Sequence, residues 1–169
     1  FVPDAALVGG DEGQGKGFYN TMAGLSGGRI QTAARASGVM QAAIERAVRY
    51  ANDRKVFGAP VGDYQLTQVK LGRMLSALTA GRQFSYAVAR MMDEGGGKME
   101  ASLVKLYSCR AAEWVTREAM QIHGAMGISH WSPLPDMYHH QRHLRFADGP
   151  DEVHHMVVGR AEAQKHVAW

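Results

Sequence analysis

Three short segments carry the residues that could do chemistry. The first is Arg145-Phe-Ala-Asp148-Gly-Pro-Asp-Glu-Val-His154, which sets a carboxylate directly before Gly149-Pro150 at a predicted helix start. Proline suits the first helical position, where its missing N–H would have no partner. Asp151 and Glu152 then fall in the first turn, at the positive end of the helix dipole. A carboxylate on such a junction is held by backbone and can face a cleft, which suits a general base. The same residues also read as an Asp N-cap with an acidic first turn.

The second segment is Arg54-Lys-Val-Phe57-Gly58-Ala-Pro-Val-Gly-Asp-Tyr64-Gln65, a predicted helix–turn–helix corner. A guanidinium there can fork onto phosphate oxygens, with amides of the next helix adding to the cradle. Phe57 could stack on a flat ring. An ordinary basic helix end with a glycine stop reads equally well. The third segment, Gln121-Ile-His-Gly124-Ala125-Met-Gly127, offers small residues over which a ligand or another backbone could pass closely; it also reads as a plain C-cap.

Other patterns are weaker. Gly10-Asp-Glu-Gly-Gln-Gly15-Lys16-Gly17 lacks the Ser or Thr that a phosphate loop places after its lysine. His139 and His143 have a helical metal-ligand spacing. Glu152-Val-His-His155 is a Glu-x-x-His, but a di-iron bundle needs two of these plus two further glutamates, and there is no second one. No metal is therefore expected, and the histidines of the last third read as surface and interface residues.

These segments must be positioned by helices. Apolar residues at three- and four-residue steps predict long helices from about Gly28 to Asp53, from Tyr64 to about Glu94 and from Lys98 to about His123. Shorter helices are expected over 17–25, from Pro133 and Pro135 to about Phe146, and from near Pro150 to about His166. Residues 1–17 read as extended or loop, and strand-like alternation ends by residue 8. The fold expected is all-α: an antiparallel, up-down four-helix-type bundle with additional short helices, spanning residues 18–169.

Bulk properties narrow the function. A chain of 169 residues, 46% hydrophobic, can bury one core. A single cysteine, Cys109, excludes an internal disulfide and fits a reducing compartment. The net charge of +3 is spread over helical faces without a basic stripe, which argues against nucleic acid. No apolar run reaches the roughly 20 residues of a membrane span. The start, Phe1-Val-Pro-Asp, suggests a fragment or processed product.

Taken in order, the segments resemble the C-terminal domain of the acyl-CoA dehydrogenase family. The resemblance rests on an Arg-x-x-Phe-Gly turn with Gln65 beyond it, Lys105-Leu-Tyr in the third helix, Gln-x-x-Gly-x-x-Gly, and a carboxylate before glycine. It covers nearly the whole chain. Residues 1–17 then look like the end of that family's β domain and its linker. The ending resembles a subgroup with Asp where most members have Glu.

The resemblance implies an FAD-dependent α,β-dehydrogenation of acyl-CoA thioesters, as in β-oxidation of fatty acids, with Asp148 as the base. Arg54, Phe57 and Gln65 would contact the FAD of a neighbouring subunit, and Gln121, Gly124 and Ala125 would face its adenosine side. Pro150 and Glu152 fall at flavin-contact positions, and Arg29 and Gly149 at the substrate. Pro150 stands where members often have a hydroxyl residue. A homo-oligomer, dimer or tetramer, and an electron-transfer flavoprotein as acceptor are implied. So is a cytoplasmic location, mitochondrial or peroxisomal in a eukaryote. Without upstream domains the fragment is expected to be inactive. The alternative is a non-catalytic helical assembly module of a related complex.

Overall fold

The computed structural model describes residues 1–165; the last predicted helix position, His166, lies outside them. Five helices follow in order: α1 (Gly17–Asp53), α2 (Gln65–Asp93), α3 (Lys98–His123), α4 (Leu134–Arg142) and α5 (Asp151–Gln164). Between α1 and α2 lies a minimal antiparallel hairpin, β1 (Lys55–Val56) with β2 (Ala59–Pro60). The three long helices form an up-down bundle, with α1 against α3 the most extensive contact, and α4 and α5 pack on α3. The predicted all-α architecture is what is found.

The core explains the closeness of α1 and α3. Ala36, Met40, Ala43, Ile44 and Ala47 of α1 meet Cys109, Ala112, Val115 and Ala119 of α3 in one buried cluster, joined by Met74 and Leu78 of α2. The many alanines leave little side chain between the axes, so the helices can approach at the near end of the usual range. Leu134 and Leu144 close the cluster from the α4 side.

Boundaries differ from expectation in four places. The expected short helix at 17–25 and the long one from Gly28 are one continuous α1. Gly24, Gly27 and Gly28 each cost about 1 kcal/mol of helix propensity, but none adopts a positive φ, so no break occurs. The opening segment contains two 3-10 turns, Asp4–Ala6 and Gly10–Gly13, and no strand. The hairpin at 55–60 is strand structure beyond residue 8, too short to show an alternating pattern. Helix α4 ends at Arg142, followed by a 3-10 turn over His143–Arg145.

The connections are set by glycine where geometry demands it. Gly95 and Gly97, at φ +84° and +74°, turn the chain from α2 into α3. No described helix is long and apolar enough to cross a membrane.

Candidate active site

Asp148 sits between the α4 region and α5, in a left-handed conformation at φ +54°. Aspartate tolerates that region better than most residues, though at some cost. Gly149 follows at φ +109°, which only glycine adopts readily. Pro150 is the N-cap of α5 rather than its first helical residue, and Asp148 makes no capping bond. The carboxylate is directed elsewhere: its Oδ2 accepts a hydrogen bond from Thr32 Oγ1 of α1 at 2.5 Å. Its Oδ1 lies over Gly28, where an added Cβ would come within 2.6 Å of it.

The backbone of this loop is anchored from three helices. Lys105 of α3, fully buried, donates its ammonium to the carbonyls of Gly149 at 2.7 Å and Arg145 at 3.0 Å. The carbonyl of Asp148 is approached by His154 Nε2 at 3.1 Å and Arg29 Nε at 3.4 Å. Arg145 spans the loop's outer side, from Asp151 Oδ2 at 2.6 Å to Glu113 Oε2 at 2.7 Å. Lys105 lies 3.7 Å from Asp151 Oδ1, so two carbonyls and one buried carboxylate share the cations of Lys105 and Arg145.

The electrostatics follow from burial. Desolvation lowers the Lys105 pKa below its ordinary value, against the opposing pull of Cys109, Asp151 and Asp148. His154 is also lowered, first by burial, then by the charges of Lys105 and Arg29. Its ring is therefore neutral near pH 7 and can donate one N–H to the Asp148 carbonyl. The Cys109 thiol is pushed up to about 12, chiefly by burial, which leaves it an unreactive core residue. Arg145 is raised, foremost by its hydrogen bond to Glu113.

A second group of residues gathers at the far end of the bundle. The Arg54 carbonyl accepts from Val61 N at 2.8 Å, which closes the hairpin, and the Arg54 side chain is exposed. Phe57 and Gly58, at φ +48° and +86°, form the hairpin tip, a primed turn that matches the twist of the flanking strands. Phe57 is 99% exposed, so one whole ring face lacks a partner within the chain. Tyr64 Oη donates to the Val56 carbonyl at 2.7 Å and fixes the hairpin to the start of α2, where Gln65 is exposed.

Helix α3 ends beside this corner, because His123 stacks on Tyr50 of α1 with ring centroids 4.4 Å apart. Gly124 turns at φ +58°, and Gln121, Gly124 and Ala125 line one hollow with Arg117, Met120 and Ile128. Gly127 is required sterically, since a Cβ there would lie 2.2 Å from the Met120 carbonyl.

The structure thus brings Arg29, Asp148 and Gly149 together, with Pro150 and Glu152 exposed at the same helix start. It places Arg54, Phe57, Gln65, Gln121, Gly124 and Ala125 at the opposite end. From Thr32 to Arg54 is roughly six turns of α1, about 33 Å. The chain's own residues at the two ends do not form one site.

Four participants were missed in the sequence: Gly28, Thr32, Lys105 as an anchor, and His154. Lys105 had a readable signal, a charge on the same face as Ala101, Ser108, Cys109 and Ala112, all buried. His154 and His123 correct the expectation of surface histidines, being 1% and 7% exposed. Among the described residues no three His, Cys, Asp or Glu side chains are grouped to hold a metal ion.

A family model described as acyl-CoA dehydrogenase, C-terminal domain, matches residues 15–163. The 3-(aryl)acrylate reductase of Clostridium sporogenes is 38% identical over 144 residues, which is 85% of this chain and 38% of that protein. The mitochondrial short-chain specific acyl-CoA dehydrogenase of Bos taurus is 36% identical, over 93% of this chain and 38% of its own length. The solved structure of butyryl-CoA dehydrogenase from Megasphaera elsdenii superposes with a TM-score of 0.85 at 35% identity, covering 88% of this chain and 39% of that one. The chain therefore spans about two fifths of the length of these relatives.

Proposed function

The chain belongs to the acyl-CoA dehydrogenase family as its C-terminal domain, and from that premise we propose that Asp148 is the base in an FAD-dependent α,β-dehydrogenation of an acyl-CoA thioester. The observation that carries the reading is the loop around Asp148: a half-buried carboxylate held at Oδ2, its backbone fixed by Lys105 and His154. A side chain free of function has no need of such anchoring in a left-handed conformation costing about 1–3 kcal/mol.

In the proposed step the α C–H bond breaks and its proton passes to the Asp148 carboxylate. The β C–H bond breaks with its electron pair, and the two carbons become doubly bonded. FAD, when bound, supplies the acceptor for that hydride. This chain's residues do the remaining work. Asp148 must approach the α carbon to about 3 Å, and being one methylene shorter than Glu it needs the substrate closer to the loop. Arg29 adds positive charge at the thioester end, where enolate charge develops. The reductase among the relatives supports a second direction for the same atoms, in which protonated Asp148 returns its proton to the α carbon and the β carbon receives a hydride from reduced flavin, when bound.

The far end suits a dinucleotide by its chemistry. Arg54 offers a fork for pyrophosphate oxygens, Phe57 a free ring face, and Gln65 and Gln121 exposed amides. Gly124 and Ala125 leave the hollow beside Gln121 open. Pro150 has no hydroxyl, so the flavin bond expected at that position has no side-chain donor. We assign the far-end residues to the FAD of a neighbouring copy, consistent with exposed apolar side chains on α2 such as Leu66 at 80% and Leu75 at 56%. An electron-transfer flavoprotein is the proposed acceptor, and a cytoplasmic or, in a eukaryote, mitochondrial or peroxisomal site the proposed location.

The test uses the complete polypeptide that carries this chain. Acyl-CoA thioesters are added without oxygen and the oxidised-flavin absorbance is followed. The parent is expected to bleach and Asp148→Asn to bind the thioester without bleaching. An Asp148→Asn variant that bleaches at the parent rate refutes the assignment of the base. A polypeptide that binds no flavin favours the assembly-module reading.

A further inference from the structure

The six Ser and Thr hydroxyls of the described helices that donate a hydrogen bond show a common habit and one exception. Thr21, Ser37, Ser76, Ser85 and Thr116 each donate to the carbonyl four residues earlier, the usual outlet for a hydroxyl in a helix. Thr32 does not. It is 1% exposed, where a hydroxyl is favoured to have a partner, and it donates to Asp148, 116 residues away. Its branched Cβ leaves χ1 two main rotamers within the helix, and the one adopted directs the hydroxyl to Asp148 and not to its own helix.

The anchors described above hold the Asp148 backbone, not its carboxylate. Among the described residues Thr32 is the side chain that donates to the carboxylate, and it takes Oδ2. Oδ1 accepts no hydrogen bond there and overhangs the recess that Gly28 leaves, one turn before Thr32. Arg29 stands beside the same loop with its Nε 3.4 Å from the Asp148 carbonyl. A carboxylate released from Thr32 has a cation within easy reach, and closing onto it would turn Oδ1 away from the recess.

We infer that Thr32 is a positioning residue for Asp148, holding Oδ2 so that Oδ1 stays presented over Gly28 and is not drawn onto Arg29. The inference rests on the proposed role of Asp148 as base. It adds a residue whose type in the sequence suggests no chemistry, and it states how a short carboxylate is kept in register.

The experiment compares Thr32→Val, Thr32→Ser and Thr32→Ala in the complete flavoprotein. Rapid-mixing flavin reduction gives the chemical step. Binding is read separately with a 2,2-dimethylacyl-CoA, which has no α proton to lose. Thr32→Val is expected to slow reduction by about 10- to 100-fold, the loss typical of a misplaced reacting group, with binding of the dimethyl thioester within twofold of the parent. Thr32→Ser is expected to recover most of the rate, and Thr32→Ala to behave as Val does. Ser and Ala share the loss of the methyl group, so their difference isolates the hydroxyl even if Val disturbs the fold. Equal rates for Ser and Ala overturn the inference. So does a loss matched by equally weakened binding. If Asp148→Asn itself reduces at the parent rate, it is the base assignment that fails. If Asp148→Asn is dead and Thr32→Ala is normal, the base stands and the inference about Thr32 falls.

Discussion

Replacing Lys105 with Met keeps the buried stem and removes the ammonium, which makes it the sharpest probe of the loop that carries Asp148. In the parent that ammonium satisfies the carbonyls of Gly149 and Arg145 and faces Asp151 at 3.7 Å. Leaving a buried acceptor without a donor costs about 1–3 kcal/mol, and two are left here. Against this stands the desolvation of a fully buried ammonium, which the variant no longer bears. Asp151 retains Arg145 at 2.6 Å, so its charge is not abandoned. A net loss of about 2–4 kcal/mol follows. At roughly 2–4 °C per kcal/mol for a domain of this size, the midpoint should fall by about 5–15 °C. Thermal unfolding followed by far-UV circular dichroism measures it. Asp151→Asn alone should be milder, because it discards one charge and strands no carbonyl. A Lys105→Met midpoint within about 2 °C of the parent would show that these hydrogen bonds do not hold the loop and would refute the reasoning.

Gly28→Ala should separate activity from stability. The new methyl would lie 2.6 Å from Asp148 Oδ1, displacing the carboxylate, while alanine improves helix propensity by about 1 kcal/mol. Flavin reduction should drop at least tenfold with no loss in thermal midpoint; an unchanged rate would place the working carboxylate elsewhere. His154 gives a pH prediction. Its folded pKa is depressed below the ordinary value of 6.5, so the unfolded chain binds more protons between the two values. The stability complete above 6.5 is lost as pH falls through that window. Melting from pH 8 to pH 5 should show a shallower acid limb for His154→Gln than for the parent. Superimposable limbs would mean that the ring charges without cost.

How much was legible in the sequence depended on whether the signal was local. The three long helices follow from apolar spacing along each one; the third, expected from Lys98 to about His123, runs over Lys98–His123. The join of 17–25 to Gly28–Asp53 was not legible, because glycine propensity argues for a break, yet α1 runs unbroken through Gly24, Gly27 and Gly28 although its buried residues begin only at Thr32. The site divides the same way. Asp148, Gly149 and Pro150 announce themselves by adjacency. Gly28 and Thr32 are more than a hundred residues away and look like routine helix positions until the fold sets α1 beneath the loop. Lys105 lies between: its position on a buried stripe was visible, but the carbonyls it serves come from a distant loop. Phe57 was read as a ring that could stack; its exposure comes from a primed hairpin turn, not a helix stop alone.

The rigid length of α1 between Thr32 and Arg54 has a consequence for inheritance and for dilution. On the proposed assignment, each copy supplies the acid–base half of one reaction centre and the cofactor-gripping half of another. A copy crippled at Arg54 and a copy crippled at Asp148 are each inert among their own kind. Mixed in one assembly, they yield some centres with both halves intact. Two defective alleles could then complement one another, while two lesions at the same end of the bundle could not. Separation of the copies on dilution would strip cofactor and activity in a single event, so specific activity would rise with protein concentration until assembly was complete.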